Sequence, residues 1–372
     1  MKKIIFVSVV LCLLSISLSF AGGQKEAVEP ADKFLQPNTL WGIGIKPDGT
    51  PYKFLHVAPF MGHEFMVTVD GAMRTICERA GAKYSTIDAA ANLENQQAAL
   101  EDALVSKPDG IFISVIDAPS FAIYMEKAAR TGIPIFEYDH CTFHEKVTSS
   151  VTHDQVRMGE VAGQWFLDYQ KKTGKELHIY EVWAMYSQEG VQKRHRGIRN
   201  ILDGKPNITI LESPDTKSRS EIAQDAVLDA FSTHPELNAI VAHYNMTIGI
   251  TESLRTLGKL YPIGDPRHIP IITMDEVPSV LDHMREGFVD GTSAHSPWEE
   301  GDAVAKVALM KVCLGLDVPK EIIMDTYMVT VENMDQSRWG APAIWGDMLR
   351  QEPNFNKWPI LDCPYIETPK AK

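Results

Sequence analysis

Several things are scarce in this chain of 372 residues, and each absence removes a class of function. Cationic clusters are the first: 36 Lys plus Arg stand against 49 Asp plus Glu, for a formal charge of −13. Phosphate recognition needs clustered cations to displace counterions, so nucleic acid is excluded as a partner. Cysteine is rare. Cys12 lies in the amino-terminal apolar run, and Cys77, Cys141, Cys313 and Cys363 form no CxxC pair. That spacing excludes zinc ribbons and thioredoxin-type redox chemistry and makes free, mostly buried thiols the expectation. After the amino terminus no apolar run approaches the roughly 20 residues needed to cross a bilayer. His63-Glu64 and His144-Glu145 lack the second His of a helical zinc-protease site, and GxSxG and P-loop patterns are missing. Gly42-Ile43-Gly44 runs into Pro47 and does not open a helix after a strand, which weakens a dinucleotide reading. With no nucleophile and base pair in evidence, the chain reads as a non-enzyme without a cofactor. The loop His140-Cys141-Thr142-Phe143-His144 is the best metal candidate. Ligand-type residues meet by chance in loops, so no metal is assigned.

The first 21 residues have the form of an export signal. Lys2 and Lys3 precede an apolar run from Ile4 to Leu14, and Ser19-Phe20-Ala21 supplies small residues for cleavage. A lipid anchor needs a Cys at the cleavage point, and Gly22 stands there instead, so anchoring is disfavoured. The expectation is an exported, periplasmic protein.

Residues 22–51 are polar and proline-rich and read as a lead-in loop. From Tyr52 onward, strand-length apolar runs alternate with helix-period stretches: 54–58, helix 64–79, 84–88, helix 94–106, 110–116. The alternation resumes with 178–183, helix 189–202, 209–212, helix 221–233 and 239–244. This predicts α/β architecture with two similar doubly wound parallel-sheet lobes. An internal echo supports the duplication. Residues 109–139 run strand, helix, Thr131-Gly132, then Ile133-Pro134-Ile135 to Asp139; residues 238–275 run strand, helix, Gly258, then Ile269-Pro270-Ile271 to Asp275. Each lobe thus places one Asp at the carboxyl end of an inner strand, the edge where open α/β sheets bind ligands.

An ordered set of short matches spans 52–331. It comprises Asp70-Gly71-Ala72, Gln96-Gln97, Thr131 to Ile135 before Asp139, His153-Asp154 with Gly159, and Arg194-His195-Arg196-Gly197. His234-Pro235-Glu236-Leu237, Ile271 to Asp275, and Ala294-His295-Ser296-Pro297 before Gly301 follow. On these residues the chain resembles periplasmic sugar-binding proteins of the ribose-binding type, the type I periplasmic binding fold. The resemblance implies lobes of 52–153 plus 296–328 and 154–295 plus 329–340, a three-crossing hinge, and an irregular tail at 341–372. It also implies a monomer that captures a small sugar or polyol and delivers it to an ABC transporter permease. A periplasmic sugar or autoinducer-2 sensor of the same fold is the alternative.

Within that resemblance, Asp139 and Asp275 accept ligand hydroxyls and Arg196 donates to them, with Arg194 left as a surface charge. Phe65 stacks on the ligand or joins the core, and His63 and Glu64 flank it. Ser114, Tyr244 and Asn245 hold polar strand-end positions. His140 and His295 depart from the Arg and Gln common in ribose-type proteins, which puts ribose itself in doubt. Trp183 and Trp298 are further stacking candidates. The leader predicts a mature amino terminus at Gly22 without lipid, which intact-mass measurement of the native protein checks. A diacylglyceryl Cys12 or a retained Met1 would contradict it.

Overall fold

The computed structural model describes residues 42–62 and 64–334. The leader, most of the lead-in, His63, Cys363 and the tail at 341–372 lie outside the described residues. Strand and helix alternate from β1 (Lys53–Ala58) through α1 (Glu64–Arg79), β2 (Lys83–Asp88), α2 (Leu93–Ser106), β3 (Gly110–Ile113), α3 (Ala118–Thr131), β4 (Ile135–Tyr138) and β5 (Ser149–His153). After α4 (Gln155–Thr173) come β6 (Leu177–Val182), α5 (Glu189–Leu202), β7 (Ile208–Glu212), α6 (Ser220–Thr233) and β8 (Ala239–Ala242). Then follow α7 (Thr247–Thr256), β9 (Ile271–Met274), α8 (Pro278–Arg285) and β10 (Gly291–Ser293). The chain closes with α9 (Pro297–Leu314), β11 (Glu321–Met324) and β12 (Met328–Val329).

These strands form two six-stranded sheets, ordered β11-β5-β4-β3-β1-β2 and β12-β10-β9-β8-β6-β7. The permutation is the same in both, so the echo read from sequence is a duplicated architecture, with β3-α3-β4 answering β8-α7-β9. All pairings are parallel except β12, which runs antiparallel to β10 and closes that edge. The chain passes between sheets after β5, after β10 and after β11. The inner strands β3, β4, β8 and β9 are buried throughout, as parallel strands covered on both faces must be.

Two of the passages between sheets are also helix starts. Asp154 accepts from the Arg157 N–H to cap α4, and Ser296 accepts from the Glu299 N–H to cap α9, with Pro297 in its first turn. Along α5, Val191, Arg194, Ile198 and Leu202 form the buried stripe. Its neighbour α4 comes unusually close, because a Cβ on Gly197 would lie 2.0 Å from the Val156 carbonyl oxygen and one on Gly159 1.9 Å from that of Arg194.

Each lobe pins its first strand to the helix that follows it through a histidine–carboxylate pair. In one, His56 Nδ1 lies 2.9 Å from Asp70 Oδ1 and its Nε2 2.7 Å from the Tyr138 hydroxyl. An ionised Asp70 only accepts, so Nδ1 carries the proton and Nε2 accepts from Tyr138. In the other, Glu181 Oε1 accepts from His195 at 2.9 Å and from His243 at 2.7 Å. Burial opposes its ionisation, yet the hydrogen bonds from His195 and His243 hold the Glu181 carboxyl down to about 2. Cys77 and Cys141 are buried thiols, as expected. Trp298 packs on Ala72 and Trp183 on His195 and His243, so Trp298 belongs to the core. Among the described residues no helix is long and apolar enough to cross a membrane.

Two expectations follow. Gly197→Ala meets backbone, which cannot move aside as a side chain can, so it should destabilise by about 2 kcal/mol or more in urea titration; an unchanged midpoint would contradict the helix contact. The Glu181 carboxyl is depressed on folding, so its contribution is complete above pH ~4.5 and is lost as pH falls towards 2. Glu181→Gln should therefore flatten the acid limb of the stability curve by about 2–3 kcal/mol between pH 5 and pH 2. Parallel acid limbs for variant and wild type would count against it.

Candidate ligand-binding cleft

The strand-end aspartates occupy equivalent and unusual backbone positions. Asp139 follows β4 with φ of 54°, and Asp275 follows β9 with φ of 79°, the left-handed region that non-glycine residues seldom adopt. Local bonds hold both turns. Thr152 on β5, level with Asp139, donates to the Asp139 carbonyl at 2.8 Å, and Thr292 on β10, two residues earlier in register, donates to that of Asp275 at 3.4 Å. Strain held in place this way is common where side chains must be aimed.

Both aspartates are aimed at His295, on the second passage between sheets. His295 Nδ1 lies 2.7 Å from Asp275 Oδ1 and its Nε2 3.7 Å from Asp139 Oδ1, so one imidazole spans carboxylates of opposite lobes. Phe65 covers the ring at 4.5 Å between centroids. Burial, then the Arg194 guanidinium, pushes the His295 imidazole down to about 3, so it is neutral at pH 7. Around it, Glu300 accepts from the Asp139 N–H at 3.0 Å, and burial followed by Asp139 raises its carboxyl well above the usual range. The Tyr244 phenol is likewise held protonated by burial and then by Asp275 and Asp139.

The guanidinium that meets this cluster is Arg194, and this corrects the sequence reading. Arg194 is buried, with Nε 2.6 Å from Gln155 Oε1, Nη1 2.6 Å from the His243 carbonyl and 3.5 Å from Asp275 Oδ1. Arg196 is exposed and lines an open surface groove with Trp183, Tyr186, His195 and Glu212. Two residues along a helix are about 200° apart, so both arginines cannot face the cleft, and the close α4–α5 contact decides for Arg194.

The remaining expected residues divide. His140, half-buried, lies 3.6 Å from Asp139 and lines a cleft of about 560 Å³ with Asp117, Asp139, His153, Gln155, Gln188 and Lys193, residues of both lobes. Glu64 is exposed and accepts from the Ser279 hydroxyl at 2.9 Å, a contact from α1 to α8 across the lobes. Ser114 is buried, and its hydroxyl accepts from the His140 N–H at 3.3 Å. Gln96 reaches the same loop, donating to the Ser114 carbonyl and accepting from the Ile116 N–H. Tyr244 and Asn245 follow β8, half-buried; His63 lies outside the described residues. Cys141 and His144 do not converge, since Cys141 faces backbone carbonyls and His144 faces Glu126. Residues that sequence reading missed are His153, Gln155 and Glu300, which reach the cluster from the passages between sheets.

The chain belongs to the family described as "Periplasmic binding protein domain", whose model matches residues 54–315. That is a family of binding proteins. Among its relatives is the ribose import binding protein RbsB of Bacillus subtilis (strain 168), 23% identical over 239 residues, 64% of this chain and 74% of the relative. The xylose/arabinose-binding protein XylF of Sulfolobus acidocaldarius is 21% identical, with 75% of this chain and 69% of that protein covered. In fold, the chain is similar to a galactofuranose-binding protein, with a TM-score of 0.69 at 18% identity, covering 82% of this chain and 100% of the other. A carbohydrate transporter solute-binding protein from Agrobacterium radiobacter, in complex with D-arabinose, gives 0.68 at 18% identity, covering 77% and 96%.

Exchanging the two arginines tests the placement. Arg194→Met strips the guanidinium from a buried carboxylate and should cost about 3–5 kcal/mol. Arg196→Met should stay within about 0.5 kcal/mol of wild type. Urea titration of both variants checks this, and equal losses would contradict it.

Proposed function

We propose that this protein captures one small sugar or polyol between its lobes and hands it to an ABC transporter permease. In this reading the leader at 1–21 exports it, and it works as a monomer with lobes of 52–153 plus 296–328 and 154–295 plus 329–340. The observation that carries the reading is the pair Asp139 and Asp275, presented from equivalent strand ends to His295 in the interlobe cleft. Carboxylates accept from sugar hydroxyls, a guanidinium donates to them, and aromatic faces cover C–H surface. Arg194 takes the donor's place in this scheme, with His63, Glu64, His140, His295, Ser114, Tyr244 and Asn245 as further polar groups and Phe65 as the aromatic face. The relatives described above, binding proteins named for ribose, xylose, arabinose and galactofuranose, support a sugar ligand.

A thermal-shift screen of the mature protein against sugars and polyols identifies the ligand, since a ligand bound by the native state alone stabilises by about 4 kcal/mol at a thousandfold over Kd. Calorimetric titration of Asp139→Asn and Asp275→Asn should then give binding weaker by roughly tenfold to a hundredfold. Asp275→Asn should also lower stability, because its carboxylate is tied to His295 and Arg194. Wild-type affinity in both variants would refute the reading.

A further inference from the structure

Below the aspartate pair, His295 meets two buried groups, His153 and Glu300, that the sugar reading leaves without a role. His153 closes β5 at the first passage between sheets, His295 stands at the second, and Glu300 is in the first turns of α9; the three are 3%, 2% and 0% exposed. His153 Nδ1, His295 Nε2 and Glu300 Oε2 make no hydrogen bond within the protein, although each is fully enclosed. Buried polar atoms are nearly always satisfied, so three orphans at one point need an explanation.

These atoms converge. One ligand atom from each residue lies within 4.8 Å of the other two. His295 Nε2 is 3.5 Å from Glu300 Oε2 and 3.7 Å from Asp139 Oδ1, and His153 Nδ1 is 4.0 Å from Glu300 Oε1. Donors around a tetrahedral zinc ion, with bonds of about 2.0–2.2 Å, sit about 3.3–3.6 Å apart, so the three need to close by no more than about 1.5 Å, and Asp139, outside that group, moves in as the fourth.

The protonation pattern fits as well. With its proton on Nδ1, 2.7 Å from Asp275 Oδ1, His295 turns the Nε2 lone pair to the cluster, while Arg194 Nη2 competes for the same Nδ1 at 3.1 Å. A carboxylate behind a ligating imidazole is the usual way a protein fixes the tautomer of a metal-bound histidine. Three carboxylates, Asp139, Asp275 and Glu300, meet here beside Arg194, and a divalent cation would offset their repulsion. The cleft lined by Asp139 and His153 is a path of entry.

We propose that His153, His295 and Glu300, with Asp139 as fourth donor, bind a divalent transition-metal ion of the zinc type at the root of the interlobe cleft. Imidazole nitrogen with carboxylate oxygen favours zinc over calcium or magnesium. The ion would tie the first passage to the second, and its binding does not depend on which solute the cleft takes. A second group, Glu181, His195 and His243, lies equally close, but there the facing atoms Glu181 Oε1, His195 Nδ1 and His243 Nε2 are already hydrogen-bonded to one another.

The test uses mature protein without a histidine tag, stripped with chelator and titrated calorimetrically with ZnCl2 in the absence of sugar. One equivalent should bind, Glu300→Gln should weaken it by about tenfold or more, and His195→Ala should leave it unchanged. Wild-type crystals soaked in ZnCl2 supply a second measurement that does not depend on the folding of Glu300→Gln. An anomalous peak at the zinc edge about 2.1 Å from His153 Nδ1 and His295 Nε2 supports the site. No uptake by the wild type, equal uptake by wild type and folded Glu300→Gln, or a peak only at Glu181, His195 and His243 overturns it. Sugar affinity enters none of these readouts, so failure here is distinct from failure of the sugar reading.

Discussion

Carboxylates from two lobes have to share one buried space, and the interior of this protein is arranged around that constraint. Asp139 and Asp275 come from different sheets yet reach the same imidazole, His295. Charges in a low-dielectric interior are tolerable only with close partners. Arg194, from α5, and the neutral His295 and raised carboxyl of Glu300, from the passage into α9, are those partners. The α4–α5 glycine contact that turns Arg194 inward and the capped helix starts at Asp154 and Ser296 serve the same end.

Duplication makes the arrangement possible. Two sheets with one strand permutation, facing each other, bring the same edge of each lobe to a common cleft. The matched left-handed turns at Asp139 and Asp275, at the ends of the equivalent strands β4 and β9, show that the correspondence extends to single residues. Three passages of chain join the lobes, and two of them carry His153 and His295 into the cleft. A change at the cleft is thereby felt at the joints.

Much of this was legible in the residues. Helix 64–79 and helix 189–202 were bounded as the structure has them, and the Ile-Pro-Ile echo led to both aspartates. The arginine was misread for a physical reason. A family motif placed Arg196 at the ligand, while the stripe Val191, Arg194, Ile198 and Leu202, plain in the sequence, put Arg194 inside. His153 and Glu300 carry no such signal, because their meeting depends on how the passages between sheets fold back on α1 and α9. Nor could the antiparallel β12 be foreseen from two residues.

If the lobes close on a solute presented to Asp139 and Asp275, the contacts that join them, Glu64 to Ser279 and His295 to Asp139, must loosen without it. Small-angle X-ray scattering of the mature protein, alone and saturated with the sugar or polyol that stabilises it, measures this directly. The account predicts a smaller radius of gyration in the saturated protein. Identical scattering curves at saturation would contradict it.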